Sequence, residues 1–219
     1  VDRAAVLARV AARYRSSGRF ARHYVAAKLR HDPLTDALLG LCATEGFGTV
    51  ADLGCGRGQF AALLLEAGMA RAVVGLEANA KLRAQAGRAL ADVPFEARAH
   101  DLATDGAILQ ADTVLLLDVL YQLPTAAQAR LLDAVARSAR RLVVIRTADP
   151  QSGWRALLTR GLEGLGRGFW PHSGAMVNPR PVDWIAARLT AAGWRTSVAP
   201  CRTGTPFANV MLTARRQPG

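Results

Sequence analysis

Two kinds of hydrophobic spacing divide the chain. Residues 2–16 set Val6, Val10 and Tyr14 four apart with arginines between them, the period of an amphipathic helix. A second helical stretch runs from about Phe20 to Leu29, and Asp32-Pro33 supplies an N-cap and a first-turn proline for a third through Leu41. From Thr49 the pattern changes to short apolar runs, Val50–Leu53, Ala72–Leu76, Phe95–Ala99, Thr113–Leu117 and Leu142–Ile145, separated by amphipathic segments. Unbroken apolar runs are what strands buried on both faces require, so the alternation predicts a parallel sheet covered by helices. Phe60–Leu65 leads to Gly68, a helix-ending glycine, and Thr125-Ala-Ala-Gln128 after Pro124 reads as a capping box opening a helix through Arg137. Trp154–Leu165 has helical period but runs into Gly161, Gly164, Gly166 and Gly168. Pro179 and Pro181 introduce a further helix ending near Gly193. Trp194–Ala199 and Asn209–Ala214, joined by a short turn-rich link, predict an antiparallel pair at the sheet edge.

Length and composition fit this picture. At 219 residues and 51% hydrophobic, the chain reads as one globular domain with a real core. Within it we expect a helical cap at 1–46, a core at 47–150, a cover segment at 151–182, and the last helix and strand pair at 183–219. No run reaches the roughly 20 apolar residues of a membrane span. Residues 1–20 carry arginines throughout instead of a signal peptide's apolar block, so a cytoplasmic protein is expected. Cys42, Cys55 and Cys201 are three widely spaced cysteines without metal-ligand spacing, which predicts plain thiols and no metal site. The net charge of +11 would ordinarily point to a polyanion such as nucleic acid. Here the charge is nearly all arginine, spread along the chain among alanines, with Lys28 and Lys81 the only lysines. Nucleic acid is therefore not the expected partner.

Chemistry concentrates at Val50-Ala-Asp-Leu-Gly-Cys-Gly-Arg-Gly-Gln59, a strand entering a glycine-rich turn and then a helix. Glycines let backbone approach a ligand where a Cβ would collide, and the helix start offers free N–H groups. A dinucleotide fingerprint would put its third glycine at Gln59, and a phosphate loop would need Gly-Lys-Ser/Thr to follow. Neither is present.

The segment resembles the first motif of the class I S-adenosylmethionine-dependent methyltransferases, and the resemblance covers most of the chain. It implies an α/β, Rossmann-like fold with a seven-stranded, mostly parallel sheet, an antiparallel edge strand, helices on both faces and an N-terminal helical cap. An acidic residue ending the second strand should hold the ribose, and Val73-Val74-Gly75-Leu76 leads to Glu77. A polar residue after the third strand should meet adenine, and Asp101 stands there in Ala99-His100-Asp101-Leu102. The full cofactor set implied is Asp52, Gly54, Cys55, Gly56, Gly58, Glu77, Ala78, Asp101, Leu102 and Asp118, with Tyr24 and Lys28 from the N-terminal helices. Asp52 would accept from a backbone N–H or from the ammonium of the methionine moiety. The methyl donor is then S-adenosyl-L-methionine and the product S-adenosyl-L-homocysteine.

On the acceptor side, Asp118 and Tyr121 follow the fourth strand, where this family faces its substrate, and are the candidate catalytic or positioning groups. A carboxylate acceptor needs no base, whereas a phenol benefits from one. Enzymes that methylate exocyclic amino groups of bases resemble one another through Asn/Asp-Pro-Pro-Tyr/Phe at this place. Here it reads Asp118-Val-Leu-Tyr121, without prolines. Trp154, Phe169, Trp170 and His172 join Tyr121 as candidate substrate contacts, in a glycine-interrupted apolar stretch suited to covering a hydrophobic, aryl or acyl acceptor. Phe20-Ala-Arg-His-Tyr24, Lys28 and the Trp184 and Thr205–Val210 regions also resemble small bacterial methyltransferases that accompany acyl-lipid or aryl-polyene biosynthesis. The acceptor could be carrier- or lipid-linked, with peripheral membrane contact compatible and no obligate protein partner implied. An RNA-directed methyltransferase, a non-catalytic S-adenosylmethionine-binding protein and a nicotinamide-dependent oxidoreductase are the competing readings.

Overall fold

The computed structural model describes residues 2–151, 178–204 and 208–216. Three helices come first: α1 (Arg3–Arg13), α2 (Arg19–His31) and α3 (Pro33–Thr44). The four-residue spacing places Val6, Val10 and Tyr14 in the core, each at most 1% exposed. Asp32 caps α3, its Oδ1 accepting from the Leu34 N–H at 2.9 Å, with Pro33 at the first helical position.

Strands and helices then alternate through β1 (Gly48–Leu53), α4 (Gln59–Glu66), β2 (Ala70–Leu76), α5 (Ala80–Ala89), β3 (Phe95–Arg98), β4 (Ala111–Leu117), α6 (Thr125–Ser138) and β5 (Ala139–Ala148). α7 (Val182–Ala191), β6 (Trp194–Pro200) and β7 (Asn209–Arg216) follow. The strands form one seven-stranded sheet ordered β3-β2-β1-β4-β5-β7-β6. β1 pairs parallel with β2 and β2 with β3, while β7 runs antiparallel to both β5 and β6. The reversed strand thus lies one place in from the edge strand β6. This is the expected Rossmann-like architecture, with every predicted strand present and most of them longer than the apolar runs that announced them. No described helix is long and apolar enough to cross a membrane.

The residues group into two compact units, Val1–Asp101 with Leu109–Leu115, and Leu102–Ile108 with Leu116–Gly219. In the first, α1 is fastened to α4 through Glu66, which receives Arg9 Nε at 2.8 Å and Arg13 Nε. In the second, the core is built from Leu131, Leu132 and Val135 of α6, Leu142–Ile145 of β5 and Trp194 of β6.

One local expectation is corrected there. Thr125-Ala-Ala-Gln128 forms no capping box: Pro124 is the N-cap residue and no side chain caps the helix. Gln128 is fully buried and its Nε2 donates to the carbonyls of Leu123 at 2.9 Å and Asn178 at 2.8 Å. A buried amide turns to whichever acceptors are near it, and here they lie outside the first turn.

Candidate functional site

Within the first unit the glycine turn leaves β1 at Leu53 and enters α4 at Gln59. Gly54, Gly56 and Gly58 have φ of +75°, +57° and +75°, the left-handed region in which a Cβ is strained. The turn is anchored to the end of β2, where the Leu76 carbonyl accepts from Gly54 N–H at 2.7 Å and from Cys55 N–H at 3.1 Å. Gly58 starts α4 against α5: a Cβ there would meet Ala86 Cβ and Leu90 Cδ1, each at 3.1 Å. At Gly56, among the described residues, a Cβ would meet nothing nearer than Gln59 Oε1 at 4.0 Å. Gly58 therefore serves the protein's own packing, and Gly56 leaves an unfilled cradle.

The carboxylate ending β2 is fixed in place. Glu77 Oε2 accepts from Gly56 N–H at 2.9 Å and Oε1 from Asn79 N–H at 2.8 Å, while the Glu77 N–H donates to the Arg98 carbonyl of β3. Arg83 Nη1 donates to the carbonyls of Glu77 and Ala78 at 2.9 and 3.2 Å. Each carboxylate oxygen spends one lone pair on a backbone donor and keeps another for a ligand.

Asp52, 3% exposed at the end of β1, lies close enough for the Glu77 charge to act on it. Burial, with the Glu77 charge second, pushes its carboxyl up to about 7. Burial, Asp52 and Glu77 together raise the Cys55 thiol and keep it protonated, which excludes it as a nucleophile. Cys55 is a packing residue against Gly75, whose added Cβ would stand 2.5 Å from its Sγ. Gly75 is a constraint that sequence reading passed over, because a glycine inside an apolar strand run carries no sign of the thiol it faces.

The N-terminal helices hold the same turn. The Tyr14 hydroxyl donates to the Arg57 carbonyl at 2.7 Å, and the Arg57 guanidinium stands 4.9 Å above the Tyr24 ring and 5.8 Å from that of Phe20. Tyr24 thus touches the turn through Arg57. Lys28 Nζ pairs with the buried Asp32 Oδ2 at 2.8 Å, at the start of α3. Asp101 lies exposed beyond β3, and Leu102 after it is buried.

In the second unit the turn after β4 carries Asp118, whose φ of +62° makes it the one non-glycine residue with positive φ among those described. Its N–H donates to the Arg146 carbonyl at 3.1 Å, and its Oδ1 lies 3.2 Å from Arg146 Nε. Arg146 is 5% exposed, a guanidinium inside β5. Tyr121 follows in a 3₁₀ turn (Leu120–Gln122), its carbonyl accepting from Asn178 N–H at 2.7 Å. Arg146 had no sequence signal, since the apolar run ends one residue before it. Trp154, Phe169, Trp170 and His172 lie outside the described residues, as does the whole Trp154–Leu165 stretch of helical period.

A seven-stranded sheet in this order, with a glycine turn after β1 and a carboxylate after β2, defines the class I S-adenosylmethionine-dependent methyltransferase fold. Residues 51–143 match the family model described as a methyltransferase domain. Solved structures agree on the fold. Magnesium protoporphyrin IX methyltransferase from Synechocystis PCC 6803, with bound S-adenosylhomocysteine, superposes with a TM-score of 0.62 at 22% identity, over 91% of this chain and 89% of that one. An S-adenosylmethionine-dependent methyltransferase from Mesorhizobium loti gives 0.67 at 21%, over 86% and 100%. N-methyltransferase NodS from Bradyrhizobium japonicum WM9, in complex with S-adenosylhomocysteine, gives 0.62 at 13%, over 87% and 91%. A comparison with the curated proteins returns no match.

Proposed function

We propose that this chain transfers a methyl group from S-adenosylmethionine to a small hydrophobic, aryl or acyl acceptor by in-line displacement. The observation that carries the cofactor reading is the fixed Glu77 carboxylate beside the open cradle over Gly56. When bound, the cofactor supplies a methyl carbon on a positively charged sulfur, already activated for attack. Glu77 accepts from the ribose hydroxyls with the lone pairs that Gly56 and Asn79 leave free. Asp52, buried at the end of β1 beside the Glu77 charge, meets the ammonium group. Asp101 faces the adenine edge. The protein's contribution to rate is alignment of the acceptor, so proximity and orientation carry the catalysis.

For the acceptor, the support is the sequence of the Trp154–Trp170 stretch together with Asp118 and Tyr121 after β4. Asp118, held by Arg146, and the Tyr121 hydroxyl orient the acceptor, and the Asp118 carboxylate takes the proton that a phenol or alcohol loses. The test is methyl transfer from labelled S-adenosylmethionine to a panel of phenols, aryl acids and acyl compounds, run beside total RNA. Labelling of a small acceptor is the expected result. Labelling of RNA alone overturns the acceptor class, and absence of cofactor binding overturns the reading entirely.

A further inference from the structure

The solvent face of α2 has a composition that neither the core nor the glycine turn accounts for. Ala21, Val25 and Leu29 form its buried stripe. At 100° per residue the opposite face carries Arg19, Phe20, His23, Arg30 and His31, all exposed, with exposed Arg15 just before the helix. That face bears no carboxylate. Asp32, at the end of the helix, is buried and paired with Lys28, and Asp36 is paired with Arg3. Phe20 is 74% exposed, the most exposed large hydrophobic side chain among the described residues. Its ring is held in place by stacking on Tyr24, with centroids 6.3 Å apart, and by Arg57.

We propose that this face of α2 docks the protein on an anionic lipid surface, with Phe20 entering the headgroup boundary and the arginines meeting phosphates. An aromatic ring fixed outward among cations matches a boundary that is apolar below and negatively charged above. The face offers one sign of charge, without a carboxylate. It therefore selects an extended anionic plane rather than the mixed donors, acceptors and apolar pockets of a protein partner. The net charge of +11 adds long-range attraction of the same sign. Because Arg57 belongs to the glycine turn, a surface engaged by Phe20 lies next to the cofactor turn proposed above.

The experiment is co-sedimentation of the full chain with phosphatidylcholine vesicles, with and without phosphatidylglycerol. Binding is expected only with the anionic lipid, falling as salt rises. Arg19→Glu with Arg30→Glu should lower the partition coefficient about tenfold or more, and Phe20→Ser severalfold, with thermal unfolding unchanged. Equal binding to neutral vesicles, indifference to the double reversal, or absence of binding would each overturn the proposal. So would displacement from the vesicles by an acidic polypeptide or RNA at lower charge concentration than the lipid. Vesicle binding is read without turnover, so its failure leaves the acceptor proposal standing, and a failed acceptor screen leaves the docking result unchanged.

Discussion

After β1 and after β4 the backbone enters the left-handed region, and the two turns achieve it by opposite means. The first places glycine at all three left-handed positions, and its hydrogen bonds come from backbone N–H groups, two of which donate to the strand end and one to Glu77. The second puts Asp118 in that conformation and sets its carboxylate against the buried guanidinium of Arg146. A binding surface of backbone donors is made by removing side chains. A surface of specific charge is made by keeping them at the cost of strain. The two turns should therefore respond in opposite directions to added and deleted side chains.

The largest effect is expected at Gly56. Gly56→Val places a branched Cβ at φ +57° and fills the open cradle, so calorimetry should show S-adenosylmethionine binding lost. Urea unfolding should remain cooperative, with stability lower by about 1–2 kcal/mol. Next comes Glu77→Ala, which strips two backbone donors of their acceptor and should weaken cofactor binding at least about tenfold. Glu77→Gln, which keeps an acceptor oxygen, should fall between.

A third prediction concerns pH. The folded state holds the Asp52 proton up to about 7, whereas the unfolded chain releases it near 3.8. Folding stability contributed by this group is therefore full below about pH 4 and declines as pH rises to about 7. Asp52→Asn should flatten that slope, raising Tm relative to the parent at about pH 8 and hardly at all near pH 4. Cofactor affinity should rise with pH through about 7 in the parent, as the carboxylate becomes available to the ammonium, and stay flat in the variant. The smallest effect belongs to the other turn. Asp118→Gly relieves a strained φ but removes the carboxylate beside the buried Arg146 guanidinium, so stability in urea unfolding should fall by about 1–2 kcal/mol net, and turnover with a suitable acceptor should fall with it.

The same contrast explains what could be read in the sequence. The glycine turn was legible because its requirement is local: left-handed positions demand glycine, and glycines at alternate residues after an apolar run stand out. Glu77 was legible through the resemblance, being at a strand end a fixed distance onward. Gly75, Arg146 and Gln128 were not, because each is explained by a residue far away in sequence. Cys55 sits over Gly75, Asp118 stands beside Arg146, and Asn178 accepts from Gln128. Strand ends were underestimated for a related reason. β5 continues through Arg146 to Ala148, since a charged residue that finds a partner does not end a strand.

The Tyr14 hydroxyl, buried and bonded to the Arg57 carbonyl, joins the fate of the first helix to that of the glycine turn. An opening that frees α1 breaks this bond and loosens the turn, so a ligand that stabilises the closed turn also stabilises helix residues it never touches. The free energy protecting the amides of Val10 and Tyr14 from hydrogen exchange should grow with cofactor concentration as RT ln(1 + [L]/Kd). In Tyr14→Phe, which keeps the ring and removes the bond, that protection should weaken. The amino-terminal helix would thus report cofactor saturation from a distance, a property an assay could exploit without any acceptor in hand.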